Sequence, residues 1–340
     1  MTALSTVPKV LSLAALLGMT GTLFAELASL KYTTLRDWDV VLPKEQFTRV
    51  SGDLAFSGVP TVFHTQVNGT ALVVDHDGDG ETDVKVSGKY GLVTLRGKST
   101  GGNTYNYSMR LVNQGGGWMY AASGAAQGKI ANQKVQIIDQ NNNGRYNDYG
   151  KDAMIIGRGK NASFLSKVVN VRGKLFSIDV AADGSEIDFE PFAGGQGMID
   201  MTSQFATKGK LLAAIVQSAD GQHSFALSGK ALEVPAGDYH LYNGRVGMGR
   251  NVVVFSKGAS KSITVKAGAS ETVALGEPLN IDFKYVRQPG RVIMAPQLVS
   301  YVGRFGEVYG QWTPFGGSPQ FDVRDMETGK QLALAVFGGC

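Results

Sequence analysis

From residue 45 onward, nearly every apolar segment of the chain alternates with period two and stops at a turn residue. Alternation of this kind sends successive side chains to opposite faces of a strand, which specifies a half-buried sheet and argues against an amphipathic helix. Thr61–Val67 leads through Asn68-Gly69 into Thr70–Val74. An Asn-Gly pair between two such runs predicts a hairpin, because both residues tolerate positive φ. In Thr104–Val112, the side chains of Tyr105, Tyr107, Met109 and Leu111 share one face. Phe176, Ile178 and Val180 do the same in Lys174–Val180, before Asp183-Gly184 turns into Ile187-Asp188-Phe189. Leu211–Ser218 turns at Asp220-Gly221 into His223–Ser228, and 45 glycines supply the punctuation. The expected class is therefore all-β. Helical periodicity is confined to the first 25 residues, with room for short helical turns at Leu27–Lys31 and Ser163–Val168.

Those first 25 residues read as a secretory signal peptide. Lys9 is followed by the apolar run Val10–Met19 and by a small-residue cleavage site after Ala25. The expected location is secreted, periplasmic or cell-surface. No later segment approaches the roughly 20 apolar residues that span a bilayer, so no transmembrane segment is expected after cleavage. Cys340 is the only cysteine, which rules out an intrachain disulfide. The net charge of +4 is spread along the chain without a basic run interleaved with aromatics, and nucleic acid is not an expected partner. The predicted organisation is a β-rich unit over 26–197, a β-sandwich over 198–276, and a segment over 277–340 that is either a further sandwich or the completion of the preceding one.

Two acidic loops interrupt this pattern. In the first, Asp75, Asp77 and Asp79 occupy alternate positions, Gly80 stands sixth, Glu81 offers its carbonyl at the seventh, and Asp83 stands ninth. In the second, the corresponding residues are Asp139, Asn141, Asn143, Gly144, the Arg145 carbonyl and Asn147, with Asp148 or Asp152 available as a further carboxylate. Alternate oxygen-bearing side chains converge on one centre while the glycine lets the backbone curl around it. A hard cation such as Ca²⁺ takes about 6–8 oxygen ligands, and this donor set suits it better than zinc or copper. The alternative is a pair of polar turns rich in Asp, Asn and Gly. Crowded carboxylates repel one another unless a cation neutralises them, which favours calcium most strongly in the first loop.

The spacing resembles the D-x-[DN]-x-[DN]-G loops of EF-hand, dockerin and thrombospondin-type calcium repeats. It departs from the EF-hand at the twelfth position, where Val86 and Gly150 replace the bidentate glutamate, and the flanks read as strands. Val234-Pro235-Ala236-Gly237-Asp238-Tyr239 resembles the turn-and-strand signature of transthyretin-like and carboxypeptidase-regulatory-like domains, which implies an immunoglobulin- or transthyretin-like sandwich there. The stretch from Gly116-Gly117-Trp118 through Asp139–Asp152 to Gly173-Lys174-Leu175-Phe176 and Asp183-Gly184 is similar to uncharacterised exported proteins of environmental bacteria such as planctomycetes. That resemblance implies location and architecture, and no activity.

Enzyme signals are sparse. His64, His76, His223 and His240 form no H-E-x-x-H, and none accompanies a G-x-S-x-G elbow. His76 is expected to point to solvent. Gly244-Arg245-Val246-Gly247-Met248-Gly249 lies between strand patterns and reads as a turn. Glu186, Asp188 and Glu190 alternate on one strand as the solvated face of an edge. Trp118, Tyr120, Trp312 and Phe315 are expected in core or turn packing more than on a sugar platform. The leading expectation is a calcium-stabilised structural or binding protein of the envelope or extracellular space, with a carbohydrate or an envelope protein as its partner. The alternatives are a carboxylate-dependent extracellular hydrolase and a carbohydrate-binding accessory protein.

Overall fold

The structure, a computed structural model, describes residues 25–310 and 320–336. The signal-peptide reading as far as residue 24, Trp312, Phe315 and Cys340 lie outside them. Every regular element among the described residues is a strand, so the chain is all-β. Strand pairing is antiparallel throughout, apart from Gln196–Asp200 beside Ser270–Thr272 and two isolated bridges.

Three layers organise the first unit. The central layer is a five-stranded sheet in the order Ser163–Phe164, Ala153–Ile156, Gln133–Ile138, Gly124–Ile130, Lys31–Thr34. Its strands bury both faces. Ile138, Ala153 and Ile155 join one core with Tyr105, Tyr107, Met109 and Trp118 from the neighbouring sheet. Val135, Ile137 and Met154 join the other core with Val169, Ile178, Ile187 and Phe189. Near-continuous apolar runs such as Ala153-Met154-Ile155-Ile156 follow from this double burial. One outer layer is the sheet Thr48–Arg49, Gly117–Ala122, Thr104–Gln114, Tyr90–Lys98. The other is Glu26–Ser29, Glu186–Pro191, Lys174–Val180, Val168–Val171. A separate three-stranded sheet, Thr65–Asn68, Ala71–Val74, Val84–Val86, feeds Leu72 and Val74 into the first core.

Several local expectations change here. Leu27–Lys31 and Ser163–Val168 form no helical turns. Glu26–Ser29 and Ser163–Phe164 are strands, because sheet neighbours offer them backbone partners in register, as Leu27 opposite Asp188 shows. Glu186–Pro191 is consequently interior to its sheet, although Glu186, Asp188 and Glu190 do face solvent. Trp118 and Tyr120 are buried core residues. The glycine-rich run 244–249 lies mostly within the strand Gly237–Met248 and ends in a turn at Gly249. A Cβ on Gly244 would meet the Phe255 ring at 2.1 Å, so close packing accounts for that glycine.

Beyond residue 197 a third core gathers Ile199, Leu211, Val216, Leu241, Val246 and Phe255. Its eight-stranded sheet also takes in Asn280–Gln288, Arg291–Val302 and Val308–Tyr309, joined through Phe255 opposite Tyr309. The buried carboxylate of Glu307 fixes this junction by accepting from Gly276 N (2.6 Å), Tyr309 Oη (2.9 Å) and Phe305 N (3.1 Å). Residues 277–309 thus add to the sheet of the preceding segment. Gln320–Arg324 and Gln331–Val336 pair as a separate hairpin.

Candidate metal centre

Both acidic loops connect adjacent antiparallel strands, and in both the first aspartate folds the loop back on itself. Loop 1 leaves Val74 and returns at Val84, its register partner. Asp75 is fully buried, and its Oδ1 and Oδ2 accept from Gly78 N (2.7 Å) and Gly80 N (3.0 Å). Gly78 and Gly80 supply the positive φ values of +76° and +94° that this curl needs. Asp79 Oδ1 accepts from Glu81 N at 2.8 Å. The turn brings one oxygen each of Asp75, Asp77 and Asp79 within 4.8 Å of one another, the positions expected from the alternate spacing. Glu81 and Asp83 are exposed.

His76 departs from expectation. Its Nδ1 lies 2.6 Å from Asp83 Oδ2, and these two groups form a second close cluster with Asp77. The ninth-position carboxylate is thereby paired with a histidine. An imidazole inside an acidic loop has carboxylate acceptors within hydrogen-bond reach.

Loop 2 leaves Ile138 and returns at Ala153, again register partners, but from the central layer. Asp139 and Asp152 therefore sit at the ends of two interior strands of a sheet covered on both faces, and both are fully buried. Asp139 repeats the role of Asp75. Its Oδ2 accepts from Gly144 N (2.7 Å) and its Oδ1 from Asn143 N (3.2 Å). Asn141 and Asn143 converge on Asp148, each directing its amide nitrogen at Asp148 Oδ2, at 2.8 and 2.5 Å. Their own oxygens accept from Asn143 N and Arg145 N. Asp152 Oδ2 accepts from Asp148 N at 2.9 Å. Asn147 is drawn aside, since its Oδ1 accepts from Arg145 Nε at 3.3 Å. Among the described residues, the groups of three or more His, Cys, Asp or Glu that close to within 4.8 Å are those of loop 1. Loop 2 gathers amide and carboxylate groups in a mixed set instead.

Electrostatics separate the loops further. Asp152 Oδ1 is buried and has no hydrogen-bond partner. Burial pushes the Asp152 carboxyl up to about 9, and the charge of Asp139 adds to the rise, with Arg145 opposing it. Burial also raises Asp139 to about 6, against the hydrogen bonds it receives from the loop. Two carboxylates forced together out of water favour protonation or a bound cation.

Three residues at this site escaped the sequence reading. Asn142, at φ +62°, accepts from Ala122 N (2.9 Å) and donates to Gln46 O (3.0 Å), tying the loop to the outer sheet. An asparagine among asparagines gives no sign of which one adopts the left-handed conformation. Tyr107 is fully buried with its hydroxyl beside Asp139, whose charged form it favours. Its place on the buried face of its strand was legible, its proximity to the loop was not. The Arg145 guanidinium supplies an internal counter-charge where only its carbonyl was expected.

Compared with protein-family models, with curated proteins and with solved structures, the chain matches none.

Proposed function

We propose that this chain is a secreted or envelope calcium-stabilised structural or binding protein, in which each acidic loop takes a Ca²⁺ ion. Asp75, Asp77 and Asp79 supply the first site, with the Glu81 carbonyl and water. Asp139, Asn141, Asn143, Asp148 and Asp152 supply the second, with the amides of Asn141 and Asn143 turned so that their oxygens face the ion. The ion's contribution is to neutralise carboxylates that otherwise repel, and so to hold two strand connections in place. The segment beyond residue 197 is read as an immunoglobulin- or transthyretin-like spacer.

One observation carries this reading: a fully buried Asp152 carboxylate with an oxygen that nothing satisfies, beside a second buried carboxylate. Buried polar groups are almost always paired, and an exception calls for an explanation. A hydrolase reading gains no comparable support. The cleft of about 770 Å³ between the first unit and the following sheet is lined by a single carboxylate, Glu233.

The test is thermal unfolding of residues 26–340 in calcium and in chelator, repeated for Asp77→Ala and Asn141→Ala. A ligand that binds only the folded state raises its stability by about 2.7 kcal/mol at a hundred times Kd. Calcium is expected to raise the unfolding temperature of the parent chain, and each substitution to remove part of that rise. Identical curves in calcium and chelator would refute the proposal.

A further inference from the structure

The outer face of the sheet that covers the first core carries charge of one sign. The strands Tyr90–Lys98 and Thr104–Gln114 contain no acidic residue, and their outward positions bear Arg96, Lys98 and Arg110. Arg110 is neutralised by Glu45 at 2.7 Å. Arg96 is not, and neither is Arg36, which follows the strand Lys31–Thr34 packed across this face. The two arginines line one open groove of about 520 Å³ together with Asn106, Thr34 and Thr94, and no carboxylate lines it. Among the described residues, the side chains of Arg36, Arg96 and Asn106 take part in no ion pair or hydrogen bond, and both arginines are exposed. Asn106 stands directly opposite Arg96 in the strand register.

The groove's floor is held rigidly. Ser108 Oγ lies 2.7 Å from Thr34 Oγ1 and 2.7 Å from Thr94 Oγ1, a hydroxyl chain that fastens the strand carrying Thr34 to the sheet beneath. Arg96 N donates to His76 O at 2.7 Å, which fixes the far end of the strand Tyr90–Lys98. The unpaired donors therefore project from a fixed backbone, and binding has only their side chains to order.

We propose that this groove binds an acidic glycan through its sulfate or carboxylate groups. Guanidinium forks match planar and tetrahedral oxyanions in bidentate geometry. The Asn106 amide, with donors and an acceptor free, suits the hydroxyls that flank such a group on a sugar. The groove is open, so a chain can run through it. A single-stranded nucleic acid fits less well, because stacking platforms sustain that binding and the only ring lining the groove, Tyr32, is half-buried with its hydroxyl held by Ser108 N. This proposal stands whether or not the acidic loops take calcium.

The test is calorimetric titration of the whole chain, in chelator and at low salt, with size-fractionated dextran sulfate, neutral dextran of the same length, and inorganic sulfate. Dextran sulfate is expected to bind, neutral dextran to give no heat, and inorganic sulfate to bind at least about 100-fold more weakly, since one ion cannot engage successive donors. Arg36→Ala and Arg96→Ala should each weaken binding about tenfold, as loss of a charge-assisted hydrogen bond does. Arg96→Lys should retain part of the affinity, and Lys266→Ala, which removes an exposed cation in the segment beyond residue 197, should retain all of it. Circular dichroism of each variant checks that it folds. The proposal is overturned if dextran sulfate fails to bind or if Lys266→Ala weakens it as much as Arg96→Ala. It is equally overturned if inorganic sulfate binds as tightly as the polymer, or if a single-stranded oligonucleotide of matched charge does.

Discussion

Loop 1 hangs from a three-stranded sheet and exposes Asp77, Asp79, Glu81 and Asp83, whereas loop 2 springs from the central layer and exposes only Lys151 between Asp139 and Asp152. The oxygen spacing is nearly the same in both. What differs is solvent. In loop 1, water screens the carboxylates and His76 pairs with one of them. In loop 2, two carboxylates are buried together, and neutral amides of Asn141 and Asn143 replace the acids at the third and fifth positions. Fewer charges suit a drier site, because each buried ion costs several kcal/mol of lost hydration. A motif read as a string of residue types therefore describes two sites of different stiffness and, in the proposed reading, different affinity.

The comparison can be broken most readily at the glycines. Gly144 has φ +81°, and a Cβ there would meet Phe56 Cβ at 2.4 Å. Gly144→Ala should destabilise the protein by about 3 kcal/mol or more, combining backbone strain with overpacking. Gly80 has φ +94° and nothing within 4 Å, so Gly80→Ala should cost only about 1 kcal/mol. Denaturant titration of both in chelator measures the contrast, and equal losses would show that the loops are equally free.

Asp152→Asn sharpens it next. Asparagine keeps an acceptor for Asp148 N and removes the buried acid. In chelator its stability should equal or exceed that of the parent chain. In calcium it should lack the greater part of the parent's stabilisation, about 2 kcal/mol near saturation. A purely structural carboxylate would instead lose stability equally in both conditions.

A third difference concerns pH. Asp152 and Asp139 titrate above their ordinary values, near 9 and 6. Below about pH 3 both groups are largely protonated whether the chain is folded or not, and little penalty arises. As pH rises from there toward 9, the unfolded chain releases protons that the folded chain retains, so metal-free stability falls. The measurement is unfolding free energy against pH in chelator, and Asp152→Asn should flatten the decline. Asp77→Ala in loop 1 should leave the slope as it is. That substitution should also have the smallest effect on stability without metal, within about 0.5 kcal/mol, because Asp77 is an exposed position.

Much of the local fold is legible in the chain. Thr65–Asn68 pairs with Ala71–Val74 as the Asn-Gly signal predicts, but the turn is Gly69-Thr70, one residue later than expected: Gly69 takes the positive φ of +63°, and Asn68 stays in its strand opposite Ala71. Tyr105, Tyr107, Met109 and Leu111 are buried together on one face, as their alternation requires. These features are legible because a turn and a two-residue period depend on neighbours in sequence. The interior position of Glu186–Pro191 was not legible, since it depends on Glu26–Ser29 arriving from the other end of the unit. The His76–Asp83 contact was missed for a related reason: the curvature of the loop, set by Asp75 and its two glycines, decides which side chains meet.

Sequence alone determined that the chain builds sheets, where its strands turn, and that oxygen donors recur at alternate positions in two connections. Only the tertiary structure decided which connection is dry. Desolvation belongs to no single residue. Around Asp139 and Asp152 it is produced by Phe56, Tyr105, Tyr107 and Tyr146, which reach the loop from several strands and connections. Their arrival depends on how the layers stack, and no local pattern near the loop encodes it.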